Sequence, residues 1–99
     1  MLTNKEILLY LRSNKDLFAN EFEVREIGLF GSFARNEQTS DSDIDIMIDM
    51  NPDAKNIFEK RMALREKISK HFGRSVDVCH KKAIKPVFKE LVFKDLIYA

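Results

Sequence analysis

Apolar residues near the start of the chain recur at Ile7, Leu8, Leu11, Leu17 and Phe18 with charged residues between them, and Thr3 followed by Glu6 has the form of a capping box. The spacing predicts a helix from about Asn4 to Ala19. Val24 to Phe30 reads as a first strand, broken at Gly31-Ser32, and "FARNE" as a short helical turn entering a polar loop. Ile44 to Ile48 with its flanks is a second strand. Asn51-Pro52-Asp53 is turn chemistry, and "NIFEKRMALREKISKHF", rich in helix formers, carries an imperfect stripe of Ile57, Phe58, Met62, Ile68 and Phe72, with Gly73 expected to end the helix. "RSVDVCH" predicts a third strand. Pro86 opens a last helix whose face of Val87, Phe88, Leu91, Val92, Leu96 and Ile97 runs to the C-terminus. This order predicts an α+β (α/β) fold, a small sheet flanked by helices, and with no repeat or linker one domain over residues 1–99.

The second strand carries its charge unevenly. Ile44, Ile46 and Ile48 share one face, which is core, and Asp43, Asp45, Met47 and Asp49 share the other. Two carboxylates about 7 Å apart repel by about 0.6 kcal/mol in water and about 2 kcal/mol at an effective dielectric near 20, and aspartate is a poor strand former. A solvated edge is one explanation, but lysine or threonine would serve it better. Bound divalent cations are the sharper one, because Mg²⁺ takes carboxylate oxygens and keeps waters and substrate phosphates as its other ligands. Two such ions can be bridged and flanked by carboxylates, so a third is expected. Asp77, between Val76 and Val78 in the third strand, faces away from the core and is the candidate. Asp41 and Asp49, at the ends of the acidic face, are expected to be exposed or to support the ligands from behind.

Gly31 lets the backbone turn sharply and approach a ligand closely, and Ser32 adds a hydroxyl beside the start of a short helix, where unpaired N–H groups favour phosphate. Cations and a triphosphate anchor together describe nucleotidyl transfer: Asp43 and Asp45 hold the ions, Ser32 and the backbone hold the distal phosphates, and Asp77 helps to activate an acceptor hydroxyl. Arg35 is expected either to touch phosphate or brace Asp41 or Asp43, or to sit in a surface salt bridge.

Composition narrows the partners. Seventeen basic and sixteen acidic residues leave a formal charge of +1, far from the balance of a protein that neutralises many nucleic-acid phosphates, so no direct duplex binding is expected. No apolar stretch reaches the length of about 18 residues that spans a bilayer, and the start lacks a basic leader and a cleavage site, so a cytoplasmic protein without membrane contact is expected. The one cysteine, Cys79, excludes an internal disulfide and reads as a small semi-buried hydrophobe. His71 and His80 lack metal-ligand spacing and read as structural or solvated. The basic run "HKKAIKP" reads as a solvated loop, with steering of ATP or of an acidic partner surface as the alternative, and the apolar excess of "LVFKDLIYA", with Phe93 and Tyr98 left over, suggests a partner or oligomer surface on the C-terminal helix.

Gly31-Ser32, ten intervening residues, Asp43-Ile44-Asp45 and a later strand Asp77 resemble the motif of the nucleotidyltransferase (DNA polymerase beta-like) superfamily. "GSFAR", "SDSDIDIMI" and "GRSVDV" in so short a chain resemble the minimal nucleotidyltransferases, the MNT-type antitoxins of HEPN/MNT toxin–antitoxin pairs, from about Val24 to the C-terminus. The resemblance implies a mixed sheet flanked by helices, two Mg²⁺ ions on Asp43, Asp45 and Asp77, and transfer of AMP from ATP to a tyrosine hydroxyl of a HEPN-type toxin. The family usually has glycine after the motif arginine. Asn36 stands there in this chain, and asparagine tolerates the left-handed turn next best. Two alternatives stand beside this reading: a non-catalytic antitoxin that masks its toxin by contact, and a small-molecule nucleotidyltransferase, against which stands the absence of a second domain to enclose the acceptor.

Overall fold

In the computed structural model, which describes all 99 residues, Thr3 Oγ1 accepts from Glu6 N–H at 3.3 Å and opens α1, Asn4–Ser13. The helix does not continue to Ala19 as the periodicity suggests. Asn14 leaves helical geometry (φ −112°, ψ 12°) and donates its side-chain amide to Tyr10 O at 2.8 Å, so α2 starts afresh over Lys15–Phe22. Such local side-chain bonding is how asparagine competes with the helical ladder. Glu23, at φ +56°, then ends α2, and its carboxylate takes Lys60 and the Lys55 N–H.

Four strands follow: β1 Val24–Phe30, β2 Ile44–Met50, β3 Val76–His80 and β4 Ile97–Tyr98. They lie in the order β3-β2-β1-β4, with β2 and β3 parallel and the other pairs antiparallel. The sheet is therefore mixed. The parallel pair needs a crossover, supplied by α4, Ile57–Phe72, which Gly73 ends at φ +62° with its N–H on Ser69 O. The third strand starts at Val76, so Arg74 lies before it rather than in it. One sheet face holds Ile27, Leu29, Ile44, Ile46, Ile48, Val76 and Val78 against Ile7, Leu11, Phe18, Leu64 and Ile68 of the helices, all buried in one core.

The C-terminal expectation needs correction. α5, Pro86–Asp95, stops before Leu96, and Ile97-Tyr98 turns back as β4 along the outer edge of β1, with Ala99 N–H on Ile27 O at 2.9 Å. Gly28 makes room for this, since a Cβ there would stand 2.7 Å from Leu96 Cδ1 and 3.0 Å from Ile97 O. The other sheet edge is blunted differently: Arg65 Nε and Arg61 Nη1 donate to the outward carbonyls of Val76 and Val78 at 2.8 and 3.4 Å. A strand edge whose acceptors are occupied is a poor template for another chain.

The acidic face of β2 is also not uniform. Met47 is fully buried and Asp49 only 3% exposed, because α5 packs over β1 and the 3₁₀ turn Lys81–Ala83 packs over β2. Asp49 is thus not a solvent-facing residue. Its Oδ2 accepts from Arg25 Nε and Nη2 at 2.9 and 2.8 Å, and its Oδ1 is buried without a partner. Arg25 sits at a register shift between Val24 and Glu26 that aims it along the strand pair. Arg25→Ala should lower unfolding free energy by about 1–3 kcal/mol in urea titration, toward the low end because water reaches the guanidinium, since it leaves a buried carboxylate unpaired. Arg25→Lys should lose less.

Candidate active site

β1 delivers the chain to Gly31 at the end of the sheet, and Gly31 starts α3, Gly31–Ala34. Two constraints fix glycine here. The backbone is at φ +75°, and a Cβ would stand 2.2 Å from Asp45 Oδ2. The turn therefore lies directly against the second-strand carboxylate. Arg35 N–H donates to Gly31 O at 3.1 Å as the first bond of α3, which leaves the leading amides of the turn without helical partners. Ser32 is half-buried beside them. Asn36 adopts φ +59°, the left-handed conformation that asparagine tolerates next best after glycine.

Asp45 faces Phe30 of β1 on one side and Asp77 of β3 on the other, the latter in direct parallel register. Asp77 is exposed between buried Val76 and Val78. Asp43 is exposed just before β2 begins, so the three carboxylates stand at one end of the sheet without converging into a closed cluster. Burial, then the charges of Asp77 and Asp43, push the Asp45 carboxyl up to about 6, with Arg35 pulling the other way. This is a half-desolvated group among like charges. An all-carboxylate donor set of this kind fits a hard divalent cation.

Arg35 is placed by two carboxylates. Its Nε meets Glu37 at 3.1 Å and its Nη1 meets Asp95 of α5 at 3.0 Å, so it joins the turn to the last helix rather than bracing Asp41 or Asp43. Between them lies a cleft of about 280 Å³ bounded by Phe30, Gly31, Arg35, Phe88, Leu91 and Asp95. The other exposed apolar residues of α5 continue from it, Val87 at 73% and Leu91 at 65% exposure. Phe93 instead packs against the Lys81 ammonium, 5.8 Å from the ring centroid.

Sequence reasoning missed two contributors. Arg74 Nη1 donates to Ser42 O at 2.8 Å and Ser40 O at 3.2 Å, and its guanidinium lies 5.3 Å from the Phe33 ring centroid, so it shapes the loop that carries Asp43. Asp95 was hidden in the helical pattern, and only the structure shows its reach to Arg35. The remaining candidates take structural places: His71 stacks on Tyr10 at 4.0 Å, His80 Nδ1 accepts from Lys82 N–H at 3.1 Å, and burial pushes the Cys79 thiol up to about 11, where it is inert.

A family model described as the nucleotidyltransferase domain matches residues 9–99. The chain belongs to the nucleotidyltransferase domain family. Its relatives include a Methanocaldococcus jannaschii chain provisionally assigned as a protein adenylyltransferase, 40% identical over 99 residues and covering 99% of both chains. The protein adenylyltransferase MntA of Thermococcus cleftensis is 35% identical over 98 residues, 99% of this chain and 97% of that one. Among solved structures, a toxin–antitoxin crystal structure with AMP-PNP contains a chain of the same fold, 26% identical with a TM-score of 0.68, covering 98% of this chain and 72% of the other. The nucleotidyltransferase is an enzyme of this family, and no helix in it is long and apolar enough to cross a membrane.

Two outcomes follow from the geometry of this candidate site. Gly31→Ala should lose about 1–2 kcal/mol to backbone strain in denaturant titration and lose transfer activity as well, because Asp45 must move. The Asp45 carboxyl lies above its ordinary range, so the fold favours its protonated form: that contribution is fully present below about pH 4 and is lost as pH rises through about 6. In chelator, Asp45→Asn should therefore gain melting temperature over the wild type as pH is raised from 4 to 7, and a constant difference would refute the shift.

Proposed function

We propose that residues 1–99 act as one minimal domain, a Mg²⁺-dependent protein adenylyltransferase that moves AMP from ATP to a hydroxyl, a tyrosine, of a HEPN-type toxin and so serves as its cytoplasmic antitoxin. The observation that carries this reading is the Asp45–Asp77 pair standing in register against a glycine turn that has no side chain to keep a phosphate away. The relatives named for protein adenylyltransferase activity and the toxin–antitoxin neighbour with AMP-PNP support the acceptor class and the nucleotide.

Asp43, Asp45 and Asp77 would hold two Mg²⁺ ions, which supply charge neutralisation for the triphosphate and acidify the acceptor hydroxyl. The chain's own residues do the rest. Ser32 and the leading amides of α3 receive the distal phosphates, and Arg35, freed from one of its two carboxylates, adds a cationic fork to them. Phe30, Phe88 and Leu91 give the cleft beside Gly31 an apolar wall for the nucleoside. Asp77, exposed on its strand, accepts the proton of the attacking hydroxyl. The acceptor oxygen bonds to the α-phosphorus, the α–β anhydride bond breaks, and pyrophosphate carries away the electron pair.

The exposed Val87, Phe88 and Leu91 of α5 favour a second reading, in which contact alone masks the toxin. Co-expression with the product of the neighbouring gene, followed by ATP and Mg²⁺, separates the two. Asp43→Asn should cut label transfer from ATP to that partner by at least about 10-fold, and by up to about 100-fold or more, since even residues behind a metal ligand are worth about 10–100-fold. If Asp43, Asp45 and Asp77 are all changed to Asn and neutralisation persists, masking is the mechanism; intact transfer in Asp43→Asn would overturn the chemistry.

A further inference from the structure

At the C-terminal end of β3, the start of α4 and the 3₁₀ turn border an open cleft of about 460 Å³ lined by Ile57, Phe58, Arg61, His80, Lys82 and Ala83. It shares no residue with the cleft beside Gly31. Its size falls within the range of about 300–1,000 Å³ typical of small-molecule sites. Every polar side chain lining it is a donor, and no carboxylate lines it.

His80 makes this more than a basic surface. The residue is only 8% exposed, and its one hydrogen bond, Nδ1 accepting from Lys82 N–H, fixes the neutral tautomer that carries its proton on Nε2. Burial lowers the tendency of the ring to charge, which keeps it in that form. Nε2–H thus has no partner in the protein and belongs to a largely buried side chain that lines the cleft. The two α4 residues that line the cleft also carry free amides. Asn56, the residue before the 16-residue helix α4, makes no side-chain cap, and the first helical bond is Lys60 N–H to Asn56 O at 3.0 Å, so the amides of Ile57 and Phe58 remain unpaired at the positive end of the helix. Lys82 adds charge, and the Arg61 guanidinium, held on Val78 O at 3.4 Å, lies 5.7 Å from the Phe58 ring centroid. Phe58, 62% exposed, presents an aromatic surface beside Ile57 and Ala83.

We propose that this cleft is a second ligand site, taking a phosphate group joined to a flat apolar body, of which a nucleoside monophosphate is the simplest member. The phosphate meets His80 Nε2–H, Lys82 and the α4 amides. The planar body lies along Phe58 and Ile57 with the Arg61 guanidinium at its edge, as bases lie on aromatic and guanidinium planes.

The test is calorimetric titration of the full chain with AMP in EDTA, which silences any site that needs a divalent cation. Saturable binding is expected, with Phe58→Ala and Lys82→Ala each weakening it by about tenfold, the scale of one lost stacking or charge-assisted contact, and Asp45→Asn leaving it unchanged. Both cleft substitutions are at exposed positions, so the fold is kept and circular dichroism will confirm it. Inorganic phosphate and adenosine should each bind at least about tenfold more weakly than AMP. No AMP binding, wild-type binding by both cleft variants, loss of binding in Asp45→Asn alone, or inorganic phosphate binding as well as AMP would each overturn the proposal.

Discussion

Asp45 and Asp77 stand side by side on a parallel strand pair, and their repulsion has to be outweighed by everything around it. Two carboxylates in neighbouring strands, about 5 Å apart by strand spacing, oppose each other by about 3 kcal/mol at an effective dielectric near 20. Against this, Ile44, Ile46 and Ile48 are fully buried on the other face of β2, and each such side chain contributes about 1.5–3 kcal/mol. The core side of the strand therefore fixes its register with energy to spare. The site side is left free to hold charges that would otherwise push the pair apart, and the missing side chain at Gly31 gives Asp45 Oδ2 its room.

The same strand face changes character within two residues. Asp45 remains open to the turn, whereas Met47 and Asp49 are closed over by Leu96, α5 and the 3₁₀ turn. A buried carboxylate must be paired, and Asp49 is, through the irregular register that brings Arg25 alongside it. One acidic strand face thus has two characters: open charge at the end that meets the glycine turn, and a buried ion pair at the end that meets the rest of the fold. Period-2 alternation describes the face but not the covering that divides it.

That distinction explains which parts of the molecule could be read in the sequence. β1, β2, α4 and the stop at Gly73 are written in local periodicity and turn chemistry, and the structure reproduces them. The approach of "GS" to "DID" follows from the order strand, turn, strand, and the outward face of Asp77 follows from its valine neighbours. The break at Asn14 was not legible, because the apolar spacing runs through it and only the side-chain bond to Tyr10 O decides the matter. β4 was not legible because it is two residues long and depends on the space left by Gly28, far away in the chain. The burial of Asp49, the grip of Arg74 on the loop before Asp43, and the reach of Arg35 to Asp95 are all tertiary, with no local signal.

The arginines show why the near-zero net charge says so little about this protein. Arg25 neutralises a buried carboxylate, Arg35 joins the glycine turn to α5, Arg61 and Arg65 occupy the outward carbonyls of β3, and Arg74 holds successive carbonyls of one loop. Each task needs a planar fork with donors at fixed angles, which lysine cannot supply. Those positive charges are therefore structural fasteners at the margins of the sheet, and most are already engaged by carboxylates or carbonyls. Attraction for an anionic ligand must then come from cations and amides that the fold leaves uncommitted. Lys82, the amides at the start of α4 and the leading amides of α3 meet that description, and they lie at the starts of helices and turns rather than wherever basic residues are most numerous.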